Sequence, residues 1–340
     1  MSGTTKLNKL LSLAVKKGAS DLHLMAGYKP VLRIDGQLMP VKDEPAMRIN
    51  EMQTLVYDAI PVRKREVFKK KLELDFAIDI PGVSRYRVNV FVERGNMALA
   101  ARVIPKKIPT MESLLMPEII YDFARLDRGL VILTGPAGCG KSSSLAAMIE
   151  LINNERATHI ITMEDPIEFV FESKKALIAQ RELGQDMLSF ASGLKYALRQ
   201  DPNIIMVGEM RDLETIAATL TLAETGHLVL ATLHTPDAAQ TVDRIIDVFP
   251  EHQKDQIRSQ VSLSLKAVVA QRLLPKKGGG RVAAREIMIN NIAIANLVRE
   301  RKVEQINNVI QTSARSGMVT MDQDIKRLQK EGLIDKDIVE

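Results

Sequence analysis

The stretch GLVILTGPAGCGKSSSLAAMIELI, Gly129 to Ile152, decides how the rest of the chain is read. An apolar run, GLVIL, leads into a glycine-rich turn, and the turn opens a segment with helical spacing. Gly135 to Ser142, GPAGCGKS, fits the pattern G-x-x-x-x-G-K-[ST] of a phosphate-binding loop. The chemistry explains the residue types. Glycines let the backbone turn tightly and aim its N–H groups at phosphate oxygens, and the following helix start adds partial positive charge. Gly135, Pro136, Ala137, Gly138, Cys139, Gly140, Lys141, Ser142 and Ser143 are therefore expected to line a nucleotide's phosphates. Lys141 would reach the β- and γ-phosphates and Ser142 would hold Mg²⁺.

Further along, the same strand-then-helix alternation repeats. HIITMED (159–165), NIIMVGE (203–209) and HLVLATLH (227–234) are short, almost continuously apolar runs. Such runs suit parallel strands buried on both faces. Leu213, Ile216, Ala217 and Leu220 mark one of the intervening helices. Alternating β and α elements predict a doubly wound α/β sheet. Ligands bind such sheets at the carboxyl ends of the strands, and polar groups cluster there: Glu164 and Asp165, then Glu209, Arg211 and Asp212, then His234. His227 stands at the start of the third run. Hydrolysis needs a carboxylate that orients water and acidic support for the metal. Glu164 is expected as the general base and Glu209 as the Mg²⁺-side acid, although strand-end position alone allows the reverse. His234 and His227 are expected to sense the γ-phosphate or link the site to a neighbouring subunit.

Before residue 105 the pattern differs. Leu7, Leu10, Leu11 and Val15 predict a helix that stops at Gly18. Strand-like alternation follows from Ser20 to Val41, with IDGQL as a hairpin turn. A helical stretch is expected from Arg48 to Phe68, then three strands in LDFAIDI, SRYRVNVFVERG and MALAARVI. This reads as a small α+β domain, 1–104. Prolines 105, 109 and 117 mark 105–117 as a linker, which leaves 118–340 as the nucleotide-binding domain. From about residue 252 the chain reads as mostly helical, interrupted by a hairpin candidate in PKKGGGRVAAREIMI (275–289). In the first domain, Arg85 and Arg87 have period two and share a strand face. With Arg102 they are candidates for cations that offset charge on the transferred phosphoryl group.

Bulk properties narrow the function. The 340 residues carry 47 basic and 42 acidic side chains, a net charge of +5. That mild excess, with no Trp and 4% aromatics, gives little support to nucleic-acid binding. Cys139 is the sole cysteine, which excludes an intrachain disulfide and a cysteine-based zinc site. No apolar run approaches the ~20 residues that span a bilayer, and the first residues lack a signal-peptide pattern. A cytoplasmic location is expected.

Taken together, the motifs resemble those of the secretion-type ATPases that drive type IV pili and type II secretion, and within them the twitching-motility retraction ATPases, the PilT family. GPAGCGKSSSLAAMI is similar to the family's P-loop, ITMEDPIEFVF to its aspartate-rich box, IIMVGEMRDLET to its Walker B element and AETGHLVLATLHTPDAA to its histidine box. The four-cysteine zinc module of assembly and secretion members is absent. AIANLVRE, Ala293 to Glu300, resembles the retraction signature AIRNLIRE, with Ala295 where the family carries Arg and Val298 in place of Ile.

The resemblance implies a PAS-like N-terminal α+β domain followed by a RecA-like P-loop ATPase domain with a helical C-terminal part. It implies ATP and Mg²⁺ as cofactors and a homo-hexamer that powers pilus retraction. The implied partner is an inner-membrane platform protein, which the ring would meet at its cytoplasmic face without crossing the membrane. It supports an arginine role for the first domain. Competing expectations are an extension or secretion ATPase, a nucleic-acid translocase, and an accessory or regulatory paralogue with slow turnover. Ala295 is the feature that favours the last.

Overall fold

The computed structural model describes residues 3–34, 36–104 and 107–337. Asp35 of the expected hairpin turn, and Pro105 and Lys106 of the proline-rich stretch, lie outside the described residues. The chain forms two compact units, Met1–Lys107 and Ile108–Glu340.

In the first unit, helix α1 (Gly3–Lys16) precedes three short strands, β1 (Asp21–Leu24), β2 (Val31–Ile34) and β3 (Gln37–Pro40). Helices α2 (Ile49–Ala59) and α3 (Arg65–Lys71) lead to β4 (Glu73–Ile80), β5 (Ser84–Glu93) and β6 (Asn96–Ile104). The helical stretch expected from Arg48 to Phe68 is thus divided in two. Pro61 has no N–H to donate and pushes Ile60 into extended backbone, φ −69° and ψ 124°. The strands form one sheet in the order β3-β2-β1-β6-β5-β4, and every pairing in it is antiparallel. One sheet face and the helices bury a shared core that includes Leu7, Leu11, Leu22, Leu55, Phe68, Tyr86, Val88 and Leu99.

In the second unit, residues 108–117 are part of the fold, since Met111 and Met116 are buried in its core. Helix α4 (Glu118–Ala124) then leads to β7 (Gly129–Thr134), α5 (Lys141–Glu155), β8 (His159–Glu164), β9 (Leu177–Glu182), α6 (Phe190–Ala197), β10 (Ile204–Val207), α7 (Leu213–Glu224) and β11 (Leu228–Thr232). After α8 (Ala238–Asp247) and α9 (Glu251–Ser264) come two long strands, β12 (Leu265–Pro275) and β13 (Arg281–Ile289), then α10 (Ile292–Arg299), α11 (Ile306–Thr312) and α12 (Met321–Lys330).

The sheet order is β13-β12-β7-β11-β10-β8-β9. All neighbours are parallel except the β12–β13 hairpin. Because successive strand residues point to opposite faces, Leu130 and Ile132 of β7 enter one core and Val131 and Leu133 the other. Helices α6 to α11 contribute to the first core, α4 and α5 to the second. Each fully buried aliphatic side chain contributes roughly 1.5–3 kcal/mol, so a strand buried along its whole length is a rigid mount for the turn after it.

One expectation is corrected here. Residues 265–275 are not helical; they are strand β12, which pairs with β13 across the hairpin and extends the main sheet, parallel to β7. The run LKAVVAQRLLP is buried on both faces over Ala267–Gln271, as a central strand requires. Strand β9 is an addition to the expected set. It is an edge strand carrying Gln180, Arg181 and Glu182, so its sequence lacks the apolar run of its neighbours.

Candidate active site

The glycine-rich turn follows β7 and ends on Gly140, the residue that precedes α5, at φ 91°. No side chain caps that helix, so its first backbone N–H groups remain available to an anion. Gly135, at φ 131°, lies where a Cβ would sit 2.3 Å from the Gln271 carbonyl oxygen on β12. The close approach of the two backbones therefore demands glycine there. Pro136, Ala137, Gly138 and Ser142 are exposed, Gly140 and Ser143 half-buried, and Cys139 buried. Beneath the turn, Ser144 Oγ donates to Gln271 Oε1 at 2.8 Å, and Gln271 Nε2 donates to the Cys139 carbonyl at 3.4 Å.

Lys141 folds back into the turn. Its Nζ donates to the Gly135 carbonyl at 2.7 Å and to the Pro136 carbonyl at 3.1 Å. Burial holds its pKa below the usual lysine value, partly offset by Cys139 and by the carboxylates of Glu209 and Glu168. The ammonium also lies 3.4 Å from His234 Nδ1. On the other side of that ring, His234 Nε2 is 3.3 Å from Glu209 Oε2, and Glu209 pairs with Arg211. A continuous polar chain thus runs Lys141–His234–Glu209–Arg211 across the carboxyl ends of β7, β11 and β10.

Backbone stitching sets this geometry. Leu233 N donates to the Leu133 carbonyl at 3.1 Å. Thr134 Oγ1 donates to the Thr235 carbonyl at 2.7 Å and accepts from Thr235 N at 2.9 Å. Met210 N donates to the Thr232 carbonyl at 3.0 Å. The three strand ends are locked before any side chain is considered.

Glu164 ends β8 next door, where Gly208 N donates to the Met163 carbonyl at 2.7 Å. The residue as a whole is 5% exposed. Oε1 accepts from Thr162 Oγ1 at 2.6 Å and from Gln180 Nε2 at 3.0 Å, and Oε2 accepts from Glu168 N at 3.3 Å. Burial nevertheless outweighs these bonds and raises its pKa above the ordinary glutamate value. A buried carboxylate with raised proton affinity at the edge of a phosphate site has the properties of a general base.

His227 is not brought to this edge. It precedes β11, and its carbonyl accepts from Gly129 N at 2.9 Å at the start of β7. Its Nδ1 lies 3.0 Å from the Leu222 carbonyl and 3.2 Å from Thr225 Oγ1. The five residues of β11 separate it from the phosphate edge by roughly 16 Å, because the strand runs from His227 toward His234. Of the two histidines expected at the phosphate edge, His234 lies there and His227 does not.

Arg85, Arg87 and Arg102 lie in the first unit. Arg87 is paired in register with Arg102, and Arg102 with Asp21. Arg85 pairs with Asp79 at 3.6 Å, and Arg102 Nε donates to Asp21 Oδ1 at 2.8 Å. The three share the sheet face opposite the hydrophobic core, as their spacing requires.

Sequence reasoning missed four contributors. Gln180 and Glu168 hold Glu164, and Gln271 supports the P-loop from β12. Arg285, fully buried on β13, donates to the carbonyls of Leu114 at 2.9 Å and Leu115 at 3.1 Å. The first three come together through sheet pairing and loop geometry, for which a single sequence carries no local signal.

Hydroxyl and carboxylate oxygens are the hard donors that Mg²⁺ takes alongside phosphate and water. Exposed Ser142 and the Glu209 carboxylate after β10 fit that set. Among the described residues no group of three or more His, Cys, Asp or Glu is arranged to hold a metal by itself. None of the helices described is long and apolar enough to cross a membrane.

Comparison with known proteins gives concordant results. The family model for type II/IV secretion system proteins matches residues 4–331. The type IV pilus retraction ATPase PilT of Pseudomonas aeruginosa is 50% identical over 331 residues, 97% of this chain and 96% of that protein. A twitching motility protein of Neisseria gonorrhoeae is 50% identical over 306 residues, 90% of this chain and 82% of the relative. The crystal structure of a pilus retraction motor, PilT, with bound ADP superposes with a TM-score of 0.91 at 45% identity, covering 97% of this chain and 94% of that one.

Proposed function

This chain belongs to the type II/IV secretion system protein family, and from that premise we propose that it is an ATP-hydrolysing motor that powers type IV pilus retraction. The observation that carries the reading is the Lys141–His234–Glu209 chain laid across the P-loop edge. A phosphate entering the turn supplies the acceptors that Lys141 otherwise finds in the Gly135 and Pro136 carbonyls. Lys141 then neutralises charge on the β- and γ-phosphates. Ser142 and Glu209 would hold Mg²⁺, which would supply positive charge to offset that on the phosphate oxygens. Glu164 accepts the proton of the attacking water, and His234 links the γ-phosphate position to Glu209.

The nucleoside end extends from Ser143 into a cleft of about 320 Å³, lined by Cys139, Gly140, Ser144, Gln271, Leu273 and Arg281 among others. Arg85, Arg87 and Arg102 supply cations from the first unit when nucleotide is bound. Six copies form the working ring, located in the cytoplasm against an inner-membrane pilus platform protein, with neither nucleic acid nor zinc as a partner.

The test pairs native mass with steady-state ATPase rate for the wild type and Glu209→Ala, followed by pilus retraction in cells. A hexamer that hydrolyses ATP, and a variant that keeps the ring but loses turnover and retraction, support the motor. A protein that binds ATP yet neither assembles nor hydrolyses it overturns the reading. The paralogue reading rests on Ala295, half-buried on α10, where the retraction signature carries Arg. A large gain in turnover for Ala295→Arg favours that paralogue.

A further inference from the structure

The net charge of this chain is concentrated in one place. Residues 62–72, VRKREVFKKKL, hold Arg63, Lys64, Arg65, Lys69, Lys70 and Lys71 against a single acid, Glu66. The other 329 residues hold 41 side chains of each sign, so the whole excess of +5 lies in this segment. Only Phe68 of the segment is buried. Val62, Val67 and Leu72 are 77%, 40% and 56% exposed. Val67, Lys70 and Lys71, at i, i+3 and i+4, share one face of α3. Lys69 pairs with Glu66 at 2.7 Å, and Lys70 and Lys71 have no ion pair among the described residues. Leu72, at φ 62°, turns the chain, and its carbonyl accepts from Val92 N at 3.0 Å. That contact brings the β5–β6 turn, with its exposed Arg94, to the same end of the unit.

The segment combines three exposed aliphatics with exposed lysines on one short stretch. A nucleic-acid surface would add exposed aromatic stacking planes, yet the segment's one aromatic, Phe68, is inside the core. Ammonium groups on flexible stems beside exposed aliphatics match a bilayer surface. The aliphatics enter the headgroup boundary and the lysines meet lipid phosphates. We infer that residues 62–72 form a docking surface for an anionic lipid membrane. The surface holds the first unit against the bilayer directly, independently of any membrane protein partner.

The test is co-sedimentation of the full chain with phosphatidylcholine vesicles, with and without phosphatidylglycerol, at low and high salt. Binding should require phosphatidylglycerol and weaken with salt. The triple variant Lys69→Glu/Lys70→Glu/Lys71→Glu should bind about 100-fold more weakly, with its melting temperature and basal ATPase rate unchanged. Val62→Ser/Val67→Ser should weaken binding while leaving the charge intact. Should the reversal variant fail to fold, Lys70→Gln/Lys71→Gln gives the same reading with a smaller change. Absence of vesicle binding, equal binding to neutral vesicles, or full binding by the lysine variants overturns the inference. So does unaltered binding by the aliphatic variant together with displacement by duplex DNA or an acidic peptide, which would mark a general polyanion surface.

Discussion

His234 stands between Lys141 and Glu209, with Nδ1 3.4 Å from the lysine ammonium and Nε2 3.3 Å from the glutamate Oε2. One imidazole therefore bridges the P-loop lysine and the carboxylate that follows β10. His234→Ala is expected to lower kcat by about two orders of magnitude while nucleotide affinity stays within about threefold, because binding rests on the P-loop backbone. Single-turnover hydrolysis with a fluorescent nucleotide separates the two quantities. An unchanged kcat would remove His234 from the mechanism.

Glu164 carries a cost of burial that shows as pH dependence. Its pKa in the folded protein is raised above the ordinary value of 4.5, so the folded state holds the proton more tightly than the unfolded chain. Its contribution to stability therefore falls as pH rises from about that value through the raised one, and stays low above it. Glu164→Gln keeps an acceptor for Thr162 and Gln180, gives up the long bond from Glu168 N and removes the charge. Denaturant unfolding from acid to neutral pH should show a variant at least as stable as the wild type near pH 7, with the difference shrinking toward acid. Turnover should be lost at every pH. A neutral-pH loss of stability would mean that the charged carboxylate is stabilising, contrary to the burial argument.

The P-loop glycines are not equivalent. An alanine at Gly135 would put its Cβ 2.3 Å from the Gln271 carbonyl at φ 131°, whereas Gly138, at φ 75°, has nothing within 4 Å. Gly135→Ala should cost about 2–4 kcal/mol and abolish ADP-dependent thermal stabilisation. Gly138→Ala should cost about 1–2 kcal/mol and leave the fold otherwise intact. Equal melting temperatures for the two variants would contradict the close approach of β12 to the turn.

Arg285 ties β13 to the segment that enters the second unit. Burial pushes its pKa down to about 10, and it still carries its charge at neutral pH. Arg285→Met would leave the carbonyls of Leu114 and Leu115 without this donor and should destabilise by about 2–4 kcal/mol. Arg285→Lys should recover less than half of that, because one ammonium cannot reproduce the two-pronged guanidinium geometry. Full rescue by lysine would show that charge alone matters there.

Residue order alone carries the P-loop, its strand and helix, and the acid and histidine at the ends of β8, β10 and β11. These are local signals. A glycine-rich turn needs its residue types wherever it occurs, and a strand buried on both faces must be apolar along its length. Alternation and turn residues likewise make the antiparallel first unit legible. The remaining features arise only on folding. The position of His227 depends on which end of β11 meets the phosphates. Strand β9 and the long β12–β13 hairpin exist because they extend a sheet already formed, and their sequences satisfy that neighbour more than any local rule. Gln180, Gln271 and Arg285 act across gaps of up to 171 residues. The sheet pairing that closes those gaps arises from the summed packing of two hydrophobic cores, a property of the folded chain and of no single stretch within it.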